Sequence, residues 1–199
     1  MRDTMKMKDH PESDGRRVWL GRDEAKQLFD KAGSTEEKIA FGLGLRCGLR
    51  VGEIVDVMPR DIVDTEAGRY VRVEHGKGDK YRETPIPHAL SETVRAYADV
   101  GDVAPDEPLI DRPTRWVQRA VERARNELRA ETGDEGWQYV TPHDLRRTWG
   151  HLLIEDDVEP GIVMEWGGWE NWETFREHYL GVYSMQKQRE ERDKVDWMA

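Results

Sequence analysis

The sequence predicts an α+β fold that is mainly helical and carries one small antiparallel β-sheet. Through most of the chain, apolar residues recur every three or four positions, as they do on one face of a helix. The segments 69–74 and 81–86 instead alternate between polar and apolar residues, which is typical of strands. The turn between them, 75–80, contains two glycines and favours a β-hairpin, to which Ile62 and Val63 add a third strand.

The expected helices follow one another along the chain and are bounded by start and stop signals. Ser34 followed by Glu37 is a capping box that opens the second helix, and Gly48 ends it. Thr141 and Pro142 open a later helix. In order, the predicted helices cover 18–33, 34–47, 51–58, 88–97, 113–132, 143–155, 161–166 and 173–183.

The ends of the chain differ in character from its middle. Residues 1–17 are polar and include Pro11 and Gly15, so we expect a disordered lead-in or linker remnant there. Residues 18–184 form the expected folded domain. Residues 185–199 are a charged C-terminal tail, for which a frayed end is the simpler expectation and exchange between protomers the alternative.

The composition is acidic, and this limits the kinds of DNA binding that we expect. The 199 residues carry 41 Asp plus Glu against 31 Lys plus Arg, a net charge of −10, and only nine of the cations are lysine. Such an excess of carboxylates over lysines is typical of proteins that work in concentrated salt, so we expect a halophile-like acidic surface, with an ordinary acidic protein as the alternative. This charge disfavours non-specific DNA binding, but the placement of arginines decides what a single face binds.

The expected location follows from features that the sequence lacks. No stretch approaches about 18 consecutive apolar residues, which excludes a membrane span, and residues 1–15 lack the apolar run of a signal peptide. Cys47 is the only cysteine, so intrachain disulfides and thiolate zinc clusters are excluded. We expect a cytoplasmic protein.

The segment GLRVGE places an arginine between two glycines at the expected start of a helix. Arg50 offers planar guanidinium donors, and the glycines allow an anion to approach the backbone closely, which together suit an anion site. Glu53, one turn further on, is spaced to hold the Arg50 guanidinium. The alternative is an ordinary surface ion pair between these two residues.

A second candidate group lies in HDLRRTW. His143 and Arg146 are three residues apart and share a helix face near the helix N-terminus. A guanidinium beside a titratable imidazole can bind a phosphate and move a proton, whereas the alternative is a solvated histidine with surface arginines. The other histidines supply no second cluster with metal-ligand spacing, so we expect no metal site.

Two further regions hold weaker candidates. Lys77 lies in the glycine-flanked hairpin turn, from which an ammonium can reach into a cleft as an acid or a phosphate clamp; a solvated turn lysine is the alternative. The segment 166–179 carries aromatic residues at helical spacing, most of which fit core packing, and it includes Trp169 and Tyr179. Tyr179 alone is equally consistent with a structural tyrosine.

In this order, the four motifs resemble the catalytic domain of the tyrosine recombinase, or phage integrase, family. GLRVGE resembles the family's first-arginine box, GKGDKYRETPIP its lysine hairpin, and HDLRRTW its His-x-x-Arg box; a glycine-rich aromatic segment with a tyrosine follows. The resemblance spans 18–183. It implies the tyrosine recombinase catalytic fold, a site-specific recombinase that acts on double-stranded DNA as a homo-oligomer, and no cofactor.

For the covalent step, the resemblance implies roles for three residues. Tyr179 attacks the scissile phosphate and forms a 3′-phosphotyrosyl intermediate with a free 5′-hydroxyl. His143 assists proton transfer at the tyrosine, and Lys77 protonates the leaving 5′-oxygen. A covalent intermediate conserves the phosphodiester bond energy, so the reaction needs neither ATP nor a metal.

For the phosphate, the resemblance implies that Arg50 and Arg146 neutralise the charge that develops on the non-bridging oxygens. Trp169 donates its indole N–H there, and Glu53 orients the region of Arg50. Elementary chemistry agrees, because a phenol with an unperturbed pKa of about 10 is a poor nucleophile and needs such electrostatic help.

Three features depart from the family pattern. Gly167-Gly168-Trp169 stands where most members have Leu-Gly-His, so Trp169 is a neutral donor that cannot shuttle protons. Tyr179 follows ten positions after Trp169, one more than the commonest spacing, which leaves Tyr183 as an alternative nucleophile. Members usually also carry an N-terminal core-binding domain; we expect either an excised catalytic domain or a minimal member whose partner supplies that domain.

The leading hypothesis is therefore DNA strand cleavage and rejoining, as in integration or excision of a mobile element. The alternative from another class is a non-catalytic DNA-binding accessory protein that keeps the fold. A type IB topoisomerase shares the chemistry and would act without sequence preference.

Contacts with DNA are expected from arginine-rich helical faces. On the predicted helix 113–132, Arg115, Arg119 and Arg123 are candidate phosphate contacts. The competing explanation is a solvated face on which glutamates of the same helix neutralise these arginines.

Overall fold

The structure, a computed structural model of the 199-residue chain, describes residues 5–10, 14–74, 81–178, 183, 185–195 and 197. The described strands are β1 (Lys6–Asp9), β2 (Arg16–Trp19), β3 (Ile62–Thr65), β4 (Gly68–Val73) and β5 (Arg82–Pro85). The described α-helices are α1 (Arg22–Asp30), α2 (Thr35–Cys47), α3 (Val51–Asp56), α4 (His88–Gly101), α5 (Thr114–Thr132), α6 (Pro142–Glu155), α7 (Pro160–Gly167), α8 (Trp172–His178) and α9 (Met185–Asp193). Two 3₁₀ helices cover Pro59–Asp61 and Glu135–Tyr139.

The predicted fold class is confirmed, because helices dominate and the described strands pair in small antiparallel sheets. β3, β4 and β5 form a three-stranded sheet in that order, with Val71 of β4 opposite Thr84 of β5. Ile62 and Val63 lie in β3, as the sequence predicts. The hairpin turn 75–80 between β4 and β5 lies outside the described residues.

The core is built around α2, most of whose residues are buried, and α6 packs against it. The side chain of Ser34 caps α2 as expected, accepting a hydrogen bond from the backbone N–H of Glu37 at 3.2 Å. The helix ends at Gly48, whose φ of 68° is left-handed, and a Cβ there would lie 2.2 Å from the Trp149 ring of α6. Glycine is therefore required at this position both for the turn and for the close approach of α6.

The expected disordered lead-in is wrong for the described part of 1–17. There β1 and β2 pair as an antiparallel hairpin, which we call the N-terminal hairpin. Val18 is fully buried in β2, so the first helix starts at Arg22 and not at position 18.

Tertiary contacts explain why this polar segment is ordered. The backbone N–H of Val18 donates to Asp144 Oδ1 at 3.0 Å, and the backbone N–H of Leu20 donates to Thr148 Oγ1, also at 3.0 Å. Both acceptors are buried on α6. The N-terminal hairpin is thus stabilised by partners more than 120 positions away, which local composition does not reveal.

The C-terminal region packs around a second, largely aromatic cluster. Its buried members are Trp149, Ile154, Val163, Trp169 and Phe175. The expected frayed end is wrong for 185–193, because α9 is helical and Lys187 within it is buried. This lysine pairs with Asp157 and, at 3.2 Å, with Glu191.

Most other helix boundaries lie close to the predicted ones. α3 ends at Asp56, shortly before Pro59, and α4 continues to Gly101 rather than stopping at 97. The expected helix 173–183 can be followed only to His178, because 179–182 lie outside the described residues. Within the described part of the chain, no helix has both the length and the apolar character needed to cross a membrane.

Candidate active site

The first-arginine motif forms the junction between α2 and α3. Arg50 precedes the first turn of α3, and its backbone N–H and its Nη1 each donate to the carboxylate of Glu53 at 2.7 Å. The Glu53 side chain is only 7% exposed, whereas that of Arg50 is 24% exposed. A buried carboxylate therefore holds a guanidinium that still reaches solvent.

A third residue, Arg82 of β5, completes this group. It donates from Nη1 to Glu53 Oε1 at 2.9 Å and from Nη2 to Glu53 Oε2 at 2.6 Å, which is a bidentate pair between two buried side chains. Arg82 is not among the site residues predicted from the sequence. The available signal was its position on the inward face of a strand, together with Thr84 and Ile86, where a charged side chain requires a partner.

The environment of Glu53 keeps its carboxyl group ionised. Burial alone would raise the pKa of this group, but hydrogen bonds and positive charges from Arg82 and Arg50 outweigh burial and lower the pKa from 4.5 to about 2. One carboxylate between two guanidiniums leaves the group with a positive charge, beside which an anion is favoured.

Arg146 lies on α6 and is fully buried. Its Nη1 donates to the backbone carbonyl of Gly48, and its Nη2 donates to that of Gly167 at 2.5 Å. These glycines lie at the ends of α2 and α7, where carbonyls lack partners within the helix. Arg146 thus joins the ends of two helices. The carbonyl of Gly48 lies two positions before Arg50, and the carbonyl of Gly167 lies two positions before Trp169.

We call Arg50, Glu53, Arg82 and Arg146 the arginine ring. Arg50 and Arg82 both contact Glu53, and the main chain at Gly48 and at 166–167 links Arg146 to them. Arg82 also donates from Nε to the backbone carbonyl of Trp166 at 3.2 Å. The next carbonyl along the chain, that of Gly167, accepts from Arg146. The ring therefore connects α3, β5, α6 and the end of α7, four elements that are far apart in the sequence.

Trp169 covers one side of the arginine ring. The Arg146 guanidinium lies over the Trp169 ring, 4.3 Å from its centroid, in a cation–π contact. Trp149 and Phe175 pack against the same indole, with ring centroids 5.9 and 4.9 Å away. A Cβ at Gly167 would lie 2.2 Å from the Trp169 ring, so glycine is required for this stacking.

The other predicted site residues are either exposed at the surface or outside the described residues. His143 occupies the first turn of α6, one turn before Arg146, and is exposed. Lys77 and Tyr179 lie outside the described residues, and Tyr183 is exposed. Of the seven residues predicted for the catalytic site, two pairs are in contact, Arg50 with Glu53 and Arg146 with Trp169, and the main chain at Gly48 and at 166–167 joins the pairs. The described residues contain no group of three or more His, Cys, Asp or Glu placed to hold a metal ion.

The candidate DNA contacts on α5 differ from one another. Arg115 and Arg119 are exposed. Arg123 instead donates to Glu37 Oε2 at 2.5 Å and to Glu127 Oε1 at 2.8 Å. Neutralisation by carboxylates therefore describes Arg123, whereas DNA contact by the other two stays a prediction.

Comparison with known proteins places this architecture in a family. A sequence profile of the Phage integrase family matches residues 18–185. The tyrosine recombinase XerA of Thermococcus kodakarensis is 31% identical over 157 residues, which cover 78% of this chain and 55% of that protein. The chain spans about half the length of the curated relatives it matches.

Solved structures show the same fold. A crystal structure of XerA recombinase superposes with a TM-score of 0.71 at 22% identity, covering 89% of this chain and 64% of that one. The XerH site-specific recombinase, bound to a palindromic difH substrate in a post-cleavage complex, superposes with a TM-score of 0.70 at 18% identity, covering 98% and 54%. The chain belongs to the phage integrase family, which confirms the resemblance carried by the four motifs.

Proposed function

We propose that this chain provides the catalytic part of a site-specific recombinase, which cleaves and rejoins double-stranded DNA through a 3′-phosphotyrosyl intermediate. The arginine ring supports the proposal, because Arg50 shares one buried carboxylate with Arg82 and Arg146 holds the main chain two positions before Arg50. Phosphoryl transfer depends mainly on positioning and on stabilisation of charge at the phosphate. Integration or excision of a mobile element is the process that such chemistry serves.

In the proposed cleavage step, the Tyr179 oxygen attacks the phosphorus, and the bond between phosphorus and the 5′-oxygen breaks. His143 assists removal of the phenolic proton, and Lys77 gives a proton to the leaving 5′-oxygen. In the rejoining step, a 5′-hydroxyl attacks the phosphotyrosyl bond, and Tyr179 regains its proton. Each step exchanges one phosphoester for another, so no input of bond energy is required.

Arg50 and Arg146 differ in how a DNA phosphate reaches them. Arg50 keeps about a quarter of its side chain exposed, so it is the first contact. Arg146 is fully buried beneath Trp169, so a phosphate reaches it only after the segment that carries Trp169 shifts. We therefore expect DNA binding to loosen the packing of Trp169, which faster amide hydrogen exchange in 164–171 would report.

Binding of the DNA duplex outside the arginine ring is assigned to exposed cations. Arg115 and Arg119 are the candidates on α5, whereas the donors of Arg123 are engaged by Glu37 and Glu127. We propose that the chain acts as an oligomer on DNA, in which a partner or a further segment encloses the other side of the duplex.

Incubation with a nicked suicide substrate, from which the cleaved strand diffuses away, tests the proposal. We expect a covalent protein–DNA adduct with the unmodified chain and with Tyr183→Phe, and none with Tyr179→Phe. Because an acidic protein needs screening to approach DNA, the assay is run both at low and at molar salt.

Three other outcomes would replace the proposal with a specific alternative. Loss of the adduct in Tyr183→Phe alone would make Tyr183 the nucleophile. DNA binding with no adduct at any salt concentration would indicate an accessory protein. Relaxation of supercoiled plasmids irrespective of their sequence would indicate a topoisomerase. The arginine ring favours the recombinase, because Arg50 keeps a partly exposed guanidinium next to the excess positive charge that it shares with Arg82.

A further inference from the structure

Arg17 of the N-terminal hairpin makes a contact that the proposed mechanism does not use. Its side chain is 5% exposed, and the next two residues of β2, Val18 and Trp19, are buried as well. Its Nη1 donates to the backbone carbonyl of Glu177 at 3.3 Å and lies 3.3 Å from Oε1 of the same residue. The buried Arg17 guanidinium therefore contacts both the main chain and the side chain of Glu177 in the last turn of α8.

The contact with Arg17 involves a residue close in sequence to the proposed nucleophile. Glu177 precedes Tyr179 by two positions, and two residues of chain span at most about 7 Å. Holding the main chain of Glu177 therefore fixes the described end of the chain segment that leads to Tyr179. A cation at this end of α8 is also favourable because the last carbonyls carry the negative end of the helix dipole.

The same strand is fixed to the helix that carries Arg146. The backbone N–H groups of Val18 and Leu20, on either side of Trp19, donate to Asp144 and Thr148 of α6. β2 thus contacts α6 through its main chain and α8 through Arg17. It is therefore one of two connections between α6 and α8 within the described residues, the other being the aromatic cluster in which Trp169 contacts Trp149 and Phe175.

We propose that Arg17 is a positioning residue for the Tyr179 nucleophile, acting through the last turn of α8. This proposal rests on the proposed function, because it assigns Arg17 to the same cleavage step. It also predicts that any protein segment or ligand that displaces the N-terminal hairpin leaves α8 joined to α6 by the aromatic cluster alone and slows cleavage.

The test compares Arg17→Ala with Arg16→Ala, a matched control on the same strand. The Arg16 side chain is 43% exposed and lies near Asp9 rather than α8. With saturating suicide substrate, we expect single-turnover cleavage to slow ten- to a hundredfold in Arg17→Ala, the cost of a displaced nucleophile, and less than about twofold in the control. Arg17→Lys restores most of the rate, and DNA affinity stays within about twofold for all three.

A substrate with a 5′-bridging sulfur separates positioning from acid catalysis. Sulfur leaves without a proton, so this substrate relieves a defect in the residue that protonates the leaving group, such as Lys77→Ala. It does not relieve the defect of Arg17→Ala, in which the attacking group is displaced. Full rescue of Arg17→Ala by this substrate would overturn the proposal.

Amide hydrogen exchange supplies a readout that does not depend on activity. We expect faster exchange at 172–178 in Arg17→Ala but not in the control, with α2 unchanged in both. Glu177→Gln, at a side chain that is 62% exposed, weakens the same contact without risk to folding and should show a smaller change in the same direction.

The outcomes distinguish the two proposals. If the unmodified chain forms no adduct, the proposed function fails, while exchange at 172–178 still decides whether Arg17 holds α8. Unchanged exchange and unchanged cleavage in Arg17→Ala would overturn the positioning role. Faster exchange throughout the core, with cleavage reduced only in proportion to the folded fraction, would overturn it as well.

Discussion

Two arginine-rich regions of this molecule look alike in the sequence and differ in the structure. On α5, Arg123 is paired with carboxylates at the surface. In the arginine ring, Arg146 is directed at two backbone carbonyls, and Arg50 shares a single buried carboxylate with Arg82. A guanidinium that is engaged by two carboxylates has little left to offer a phosphate, whereas Arg50 and Arg82 share one carboxylate and retain an excess of positive charge. The number of arginines on a helix therefore says less about phosphate binding than the number of carboxylates beside them.

The largest effect that this comparison predicts follows Arg146→Lys. Lysine keeps the charge but lacks the planar pair of donors that bridges the carbonyls of Gly48 and Gly167. We expect single-turnover cleavage to fall by a factor on the order of a hundred to a thousand. Arg95→Lys is the control, since Arg95 pairs with Asp64 on an exposed surface. Equal rates for both variants would show that the ring has no special role.

The second prediction compares a glutamate-to-glutamine substitution beside the arginines of each region. Glu53→Gln removes a buried carboxylate from between two guanidiniums, and we expect the free energy of unfolding to fall by about 3 kcal/mol. Glu37→Gln weakens one of the two ion pairs of the partly exposed Arg123, and we expect a loss of about 1 kcal/mol or less because the pair with Glu127 remains. Urea unfolding at neutral pH measures both, and a larger loss for Glu37→Gln would reverse the comparison.

The third prediction concerns the pH dependence of stability. The pKa of Glu53 is lowered from 4.5 to about 2 by its arginine partners despite burial, so the folded state binds a proton less readily than the unfolded chain. The resulting stability, about 3 kcal/mol, is fully present above pH 4.5 and is lost as the pH falls toward 2. The difference in stability between the unmodified chain and Glu53→Gln should therefore shrink over that interval. A constant difference would mean that Glu53 is not the titrating group.

Some of the site could be predicted because its signals are local. GLRVGE and HDLRRTW each place a cation beside a helix start, and the contact of Arg50 with Glu53 spans three positions. Arg82 closes the ring through a partner 29 positions away. Arg82 differs from the other arginines only in lying on the inward face of β5. The pairing of β5 with β4 in the three-stranded sheet determines which face of β5 points inward.

The N-terminal hairpin shows the opposite case. Its residues are polar, and composition alone predicts disorder for 1–17. Buried acceptors on α6 supply the missing stabilisation, at separations of 126 and 128 positions. Local propensity predicts secondary structure poorly wherever a strand is held by side chains of a distant helix. For this reason the sequence does not indicate a role for Arg17.

The smallest predicted effect is on the salt dependence of DNA binding, and it differs among the three arginines of α5. A guanidinium that contacts a phosphate contributes about one to the slope of log Kd against log salt concentration. We expect Arg119→Ala to reduce the slope by about one and to weaken DNA binding about threefold, as should Arg115→Ala. Arg123→Ala should leave the slope unchanged, because its donors are engaged by Glu37 and Glu127, and should instead lower stability slightly.

Titrations of labelled duplex at several salt concentrations give these slopes, with Arg50→Ala as the reference for a residue that we propose contacts the phosphate. Arg50→Ala should also reduce the slope by about one, but it should in addition slow cleavage at saturating DNA. An Arg123→Ala slope equal to that of Arg119→Ala would mean that DNA releases Arg123 from its glutamates. The difference between the two arginine-rich regions would then be one of degree, set by how easily each carboxylate is displaced.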